Sequence, residues 1–385
     1  MSATCPICEA PVGDSFLRRP DVPVHQNLVM ASRQAALGIR RADLDMCCCA
    51  ACGFVFNRAF DPGLLDYGAD YDNSQSHSPA FKAHVDGLIT HLVDERGVRG
   101  ARVVEVGCGD GAFLRQLVAA DPTSRGWGFD PSYSGPEVAL EGRLHVRRER
   151  YAPTCAATHA DVVICRHVIE HVADPLALLA TVRAALEGSP QARVFFETPS
   201  LEWILHDRVG WDFFYEHCSL FSAQSLVTAF ARAGFVTVEV SRTFGGQYLW
   251  LEARPETGAV RGGSPDPACV PDLARAFAAA ESAWRAGWTS RLRAPARGRT
   301  AIWGAGAKGA TFANLLDPTC ELIDCVIDLN PHKQGRFLPG TGHPIVNPDQ
   351  LRQRGVTSAI LMNPNYRVEN EQLLRALGLA VALED

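Results

Sequence analysis

Residues 101–120 read ARVVEVGCGDGAFLRQLVAA. Val103, Val104 and Val106 form a short β-branched run, the glycines of GCGDG break it, and Phe113, Leu114, Leu117 and Val118 resume at helical spacing. Strand, glycine turn and helix in that order make the first unit of a Rossmann-like α/β fold, in which the glycines let a ligand approach the backbone and the helix start presents free amides. The turn differs from the GxGxxG of dinucleotide enzymes. Glu105 precedes Gly107, and Asp110 sits between Gly109 and Gly111, so the loop carries carboxylates that repel a diphosphate and attract a cation.

S-adenosyl-L-methionine (SAM) carries a sulfonium and an α-amino group and no phosphate, and this loop resembles motif I of class I methyltransferases. The next strand, GWGFDPS at 126–132, ends in Asp130, some twenty residues on, where a carboxylate can accept ribose hydroxyls. Glu105, Gly107, Gly109, Asp110, Gly111 and Asp130 are therefore the expected cofactor residues.

Around this unit, residues 82–97 show helical periodicity, and 160–186 give a buried strand, a loop and a helix. That places Arg166 and His167 at the carboxyl end of a strand, beside the cofactor. Glu170 and His171 are expected to cap and pack the following helix. QARVFFETPS at 191–200 brings Glu197 and Thr198 to the same edge. In WDFFYEHCSLFS at 211–222, Tyr215, Glu216 and His217 are consecutive proton-exchanging groups among aromatics that exclude water. They are the candidate acid–base cluster.

Six of the thirteen cysteines fall in the first 52 residues. TCPICEAP and DMCCCAACGFVF contain two CxxC knuckles, Cys5 with Cys8 and Cys49 with Cys52, and four thiolates suit tetrahedral zinc in a closed, structural site. Cys47 and Cys48 are alternative ligands. Cys49 restores the two-residue gap and leaves Gly53 after the last ligand, where the knuckle needs a permissive backbone.

Residues 254–272 are rich in Gly and Pro and read as a linker. A helix rich in Ala and Trp follows, and then RTAIWGAGAKGATFANLL, a second strand–turn–helix with Gly304, Gly306 and Gly309 and with Asp328 closing the next strand. This turn meets the dinucleotide fingerprint, and Lys308 adds positive charge, so a phosphate-bearing ligand is expected. Lys333 and Arg336 in HKQGRFLPGTG, and Tyr366 before the last helix, lie toward the same edge.

The whole chain has 385 residues, with 37 Lys and Arg against 43 Asp and Glu, a net charge of −6. That balance argues against a nucleic-acid partner. No apolar run is long enough to span a bilayer and no signal sequence is visible at the start, so a cytoplasmic protein without membrane association is expected. The sequence leaves the oligomeric state open, with a monomer among the alternatives.

The stretches CPIC with CAACG, YDNSQSHS, EVGCGDGAFL, RHVIEHVADP, FYEHCSLFS, IWGAGAKG and HKQGRFLPGT, in this order, resemble the nucleotide-sugar C-methyltransferases of deoxysugar biosynthesis, a group tied to antibiotic sugars. The resemblance implies an α/β architecture in three parts: a small zinc-binding domain (1–65), a class I methyltransferase Rossmann-like domain (66–254) and a second, C-terminal Rossmann-like domain for substrate (255–385). It implies that His217 removes a proton next to a keto group, that Tyr215 or Tyr71 holds the enolate oxygen, and that Glu216 orients the histidine or binds a sugar hydroxyl. Asn73, Gly304, Gly306, Lys308, Gly309, Lys333, Arg336 and Tyr366 would contact a nucleotide-sugar substrate. The family's YHEH is FYEH here, so the family tyrosine falls on Phe214. Two rival readings use the same residues: methyl transfer to oxygen or nitrogen of a sugar or other metabolite, and an NAD-dependent oxidoreductase acting through the Gly304 loop.

Overall fold

In the computed structural model, the described residues are 4–65, 75, 77–256, 269–294 and 298–385, and they form three sheets. The central sheet has eight strands, in the spatial order Phe235–Thr243, Tyr248–Pro255, Arg193–Pro199, Val162–Arg166, Arg102–Val106, Arg125–Phe129, Leu144–Arg147 and Val138–Ala139. The five strands from Arg193–Pro199 to Leu144–Arg147 are parallel. The order reverses between Arg102–Val106 and Val162–Arg166, which is where open α/β sheets bind ligands. These strands are buried on both faces and read as continuous apolar runs rather than alternating ones: Val162, Val163, Ile164 and Cys165 are all fully buried.

The Arg102–Val106 strand turns at Gly107 into the helix Ala112–Ala120. Gly107 has φ +67° and a β-carbon there would meet the Val168 side chain at 2.1 Å, so no other residue fits. The helix then buries Phe113, Leu114, Leu117 and Val118 on the sheet, and truncating one of these leucines to alanine costs about 2–5 kcal/mol.

The C-terminal sheet is wholly parallel, ordered Ile345–Val346, Cys325–Ile327, Arg299–Trp303, Val356–Leu361 and Ala382–Glu384, with the helix Ala307–Leu316 after the second glycine turn. The N-terminal sheet is antiparallel: Leu17–Pro23, Arg41–Cys48, Val55–Asn57 and, from far along the chain, Ser219–Leu220. That last pairing fastens the cysteine-bearing segment to the strand that starts two residues after His217. The 24-residue helix Cys269–Leu292 shares one apolar cluster with Leu44 and Phe213 through Val270 and Phe277, and another with Ile302 and Phe312 through Trp288. It thus packs on both the N-terminal and C-terminal units. The strand Tyr248–Pro255 runs into the expected linker, whose residues 257–268 are outside those described. Among the described residues, no helix is long and apolar enough to cross a membrane.

Candidate functional site

The carboxyl edge of the central sheet carries the acidic turn. Glu105 is 2% exposed, and its Oε2 has no hydrogen-bond partner. Burial pushes its carboxyl up to about 8; Arg166 works against this, and Asp110 and Asp130 add to it. A buried, half-satisfied carboxylate beside two more acids is a seat for a cation. Gly109, φ +55°, faces open space where a side chain would stand, and its N–H donates to Asp130 Oδ2 at 2.9 Å. Ser132 donates its N–H and its hydroxyl to Asp130 Oδ1. With about four acceptor positions on a carboxylate, Asp130 has room for one ribose hydroxyl, and for both expected ones when Ser132 turns away. These features fit SAM: acids for the amino and sulfonium charges, an open glycine wall, and an acceptor at the next strand end.

Arg166 and His167 follow at the end of the neighbouring strand. The Arg166 guanidinium lies 4.4 Å from the centre of the Phe113 ring, and its Nε donates to Glu197 at 3.0 Å. Glu197, fully buried, also meets His84 at 2.6 Å and His167 at 3.2 Å. His167 has φ +54°. Burial opposes its charge, yet Glu170 and Glu197 raise its pKa to about 9, so it is an imidazolium at neutral pH.

Beyond His167 a cavity of about 240 Å³ opens between the central and C-terminal sheets. His217 is in its wall, with Nδ1 unpartnered, and its ring lies 4.8 Å from that of His171. Burial, with the nearby His171, His167 and Lys308, holds the His217 pKa well below the ordinary histidine range, leaving a neutral imidazole. Glu170 and His171, expected only to cap a helix, line the same wall. Glu170 does so because the segment Ile169–His171 forms a short 3-10 turn at the strand end before the helix Pro175–Ala185 begins.

On the opposite wall stand Gly304, Gly306, Lys308, Gly309, Lys333 and Tyr366. Lys333 is 5% exposed, and its ammonium reaches the Ala305 carbonyl at 3.4 Å; three donors with one long acceptor await an anion. Lys308 is instead paired with Asp212 at 2.8 Å and lies over the Trp203 ring. Asp328 accepts the Ala305 N–H at 2.8 Å beside the turn.

Three expectations are corrected. The Tyr215 hydroxyl accepts the Asp61 N–H at 2.8 Å and its ring packs on Phe60, away from the cavity. Glu216 is fully buried and accepts the N–H groups of Gln26 at 2.7 Å and Asn27 at 3.3 Å, so it anchors the N-terminal segment and does not orient His217. Both residues form a turn that points them outward and leaves Phe214 and His217 facing in. Arg336 is exposed and outside the cavity lining. Tyr71 and Asn73 lie outside the described residues.

Asn27 is a site residue the sequence did not reveal. Held by Glu216, it lines the cavity, and its Oδ1 accepts the Ala307 N–H at 2.9 Å at the start of the helix Ala307–Leu316.

The sulfur atoms of Cys5, Cys8, Cys49 and Cys52 lie within 4.8 Å of one another, with Cys5–Cys52 at 3.6 Å and Cys8–Cys49 at 3.5 Å. Zinc–sulfur bonds of 2.3 Å would set tetrahedral edges of about 3.8 Å, so the donor set and its spacing fit the ion. Cys47 and Cys48 stand apart from the cluster, and Gly53 has φ +72°.

A model of a methyltransferase domain matches residues 81–240, and a model of a C-methyltransferase C-terminal domain matches residues 275–377. The C-methyltransferase NovU of Streptomyces niveus is 28% identical over 347 residues, covering 85% of this chain and 81% of that protein. The ubiquinone biosynthesis O-methyltransferase of Escherichia fergusonii is 35% identical over 109 residues, which is 26% of this chain and 44% of that enzyme; the match thus spans less than half of that relative. Among solved structures, the N,N-8-amino-8-demethyl-D-riboflavin dimethyltransferase of Streptomyces davawensis aligns at 24% identity with a TM-score of 0.37, covering 45% of this chain and 54% of that one. With the acidic glycine turn at the switch point of a class I sheet, and a methyltransferase-domain model and a C-methyltransferase C-terminal model both matching in one chain, this protein is a SAM-dependent methyltransferase similar to the C-methyltransferases.

Proposed function

We propose that the protein methylates a carbon next to the keto group of a nucleotide-linked deoxysugar, with His217 as the base, in a cytoplasmic pathway of the kind that makes antibiotic sugars. The observation that carries this reading is the placement of a neutral, unpartnered His217 in one wall of a cavity whose other wall holds the Gly304 turn and the buried Lys333 ammonium. One side suits proton removal and the other a phosphate-bearing handle. Residues 1–65 would then serve as a zinc-stapled support, 66–254 as the methyl-transfer domain and 255–385 as the nucleotide-binding domain.

When bound, SAM supplies an electrophilic methyl group on a positive sulfur. His217 takes the proton from the carbon next to the carbonyl, and the electron pair left behind makes an enolate; its carbon would take the methyl group as the methyl–sulfur bond breaks and leaves its electron pair on a neutral sulfur. The adjacent His167 imidazolium supplies the positive charge that an enolate oxygen needs, a part that Tyr215 cannot play while it is bonded to Asp61. Phe214 and Tyr248 in the wall keep water from the exposed base.

The test uses nucleotide-linked keto-sugars in deuterium oxide with the demethylated product of SAM in place of SAM. Deuterium should enter next to the carbonyl with the wild type and fail to enter with His217→Asn, while SAM affinity by calorimetry stays within about twofold. Absence of any such exchange, together with methylation of a sugar oxygen in a parallel reaction supplied with SAM, would move the reading to O-methylation.

A further inference from the structure

A second group of metal-ligating side chains stands apart from the four cysteines. One donor atom from each of Glu170, His171 and His217 lies within 4.8 Å of the others, and all three residues line the cavity. From these donors we propose a second divalent transition-metal site, of the zinc and cobalt class, at the floor of the cavity.

Two imidazoles and one carboxylate, with the remaining coordination positions open to a cavity, are the donor set of an accessible metal site rather than a closed structural one. One of the donors lacks other employment: His217 Nδ1 is buried and unpartnered. Glu170 is fully buried, and its Oε1 makes no hydrogen bond and only a 3.6 Å ion pair with His167 Nδ1. The other oxygen of Glu170 is already fixed by the Thr198 hydroxyl at 3.0 Å, an outer partner of the sort that orients ligating carboxylates. Nitrogen and oxygen bonds of about 2.1 Å ask for donor spacings of roughly 3.4 Å, which the three side chains reach by closing at most about 1.4 Å from the 4.8 Å within which they lie. No thiolate takes part: Cys218, next in the chain, turns its sulfur to the Glu170 carbonyl at 3.4 Å.

The consequence rests on His217 being the base proposed above. An imidazole nitrogen bound to a metal cannot take a proton, so an occupied site holds the enzyme inactive until substrate or a chelator displaces the ion. Metal occupancy and proton removal exclude one another on one ring.

The experiment titrates cobalt(II) into full-length protein whose cysteine site already holds zinc. The expected result is about one further cobalt per chain, with weak visible bands of nitrogen and oxygen ligation and without the near-ultraviolet thiolate charge transfer of a cysteine site. Glu170→Gln, His171→Asn and His217→Asn should each weaken it by at least roughly 10- to 100-fold. Retained zinc at the cysteines reports that each variant is folded. Cobalt bound only with thiolate bands, or further cobalt indifferent to all three substitutions, overturns the site. If His217→Asn loses the cobalt yet still exchanges deuterium, the metal site stands and the base assignment falls; if it loses exchange yet keeps the cobalt, the reverse holds.

Discussion

A SAM cation seated at Glu105 would couple cofactor binding to a proton. In the free protein its carboxyl titrates near 8 instead of 4.5, chiefly through burial, and the difference amounts to roughly 5 kcal/mol of lost preference for the charged form. The folded pKa is raised, so the protonated side chain contributes fully below the unfolded value, and that contribution disappears as pH climbs from 4.5 through about 8. A bound cation reverses the preference and requires the carboxylate. At pH 7 the free carboxyl is about 0.9 protonated, so binding SAM should release about 0.9 proton, and affinity should rise close to tenfold between pH 6 and 7 and flatten above 8. Calorimetry in buffers of different ionisation enthalpy reads the proton count directly. The interval from pH 6 to 7 keeps the ligand's own amino group protonated. Glu105→Gln should abolish the release and the slope while making the ligand-free protein more stable than wild type from about pH 5 upward, increasingly so toward pH 8. Equal proton release by wild type and variant would refute a cation seat at Glu105.

Asp130→Ala should weaken SAM binding by roughly 10- to 100-fold, the worth of a charged hydrogen bond of about 1.5–3 kcal/mol; unaltered affinity contradicts the ribose assignment. Metal analysis should find about one zinc per chain at the cysteines. Stripping it with a thiol-reactive reagent should loosen the strand pairing of Ser219–Leu220 with Val55–Asn57 and lower turnover, and a metal-free protein of native stability would remove zinc from that role. Glu216→Ala leaves the Gln26 and Asn27 amides without acceptors, so it should destabilise the fold by about 1–3 kcal/mol in urea unfolding and weaken nucleotide binding while sparing SAM. An unchanged midpoint would show that Glu216 does not hold the Asn27 segment.

The sequence by itself determined what depends on neighbours along the chain. Strand, turn and helix at 101–120 were legible because Gly107 must take a positive φ and because apolar spacing changes from a continuous run to helical periodicity within ten residues. The two cysteine knuckles and the Gly304 turn were readable for the same reason, each being a local backbone shape. Tertiary structure decided which side chains of FYEH face a ligand. A turn at Tyr215 and Glu216 sends both outward, to Asp61 and to the Gln26 and Asn27 amides, partners about 150 and 190 residues away in the chain. It likewise brought Asn27 to the second helix start, and Glu170 and His171 to His217. Such contacts arise from the packing of separate sheets, and no periodicity within one segment encodes them.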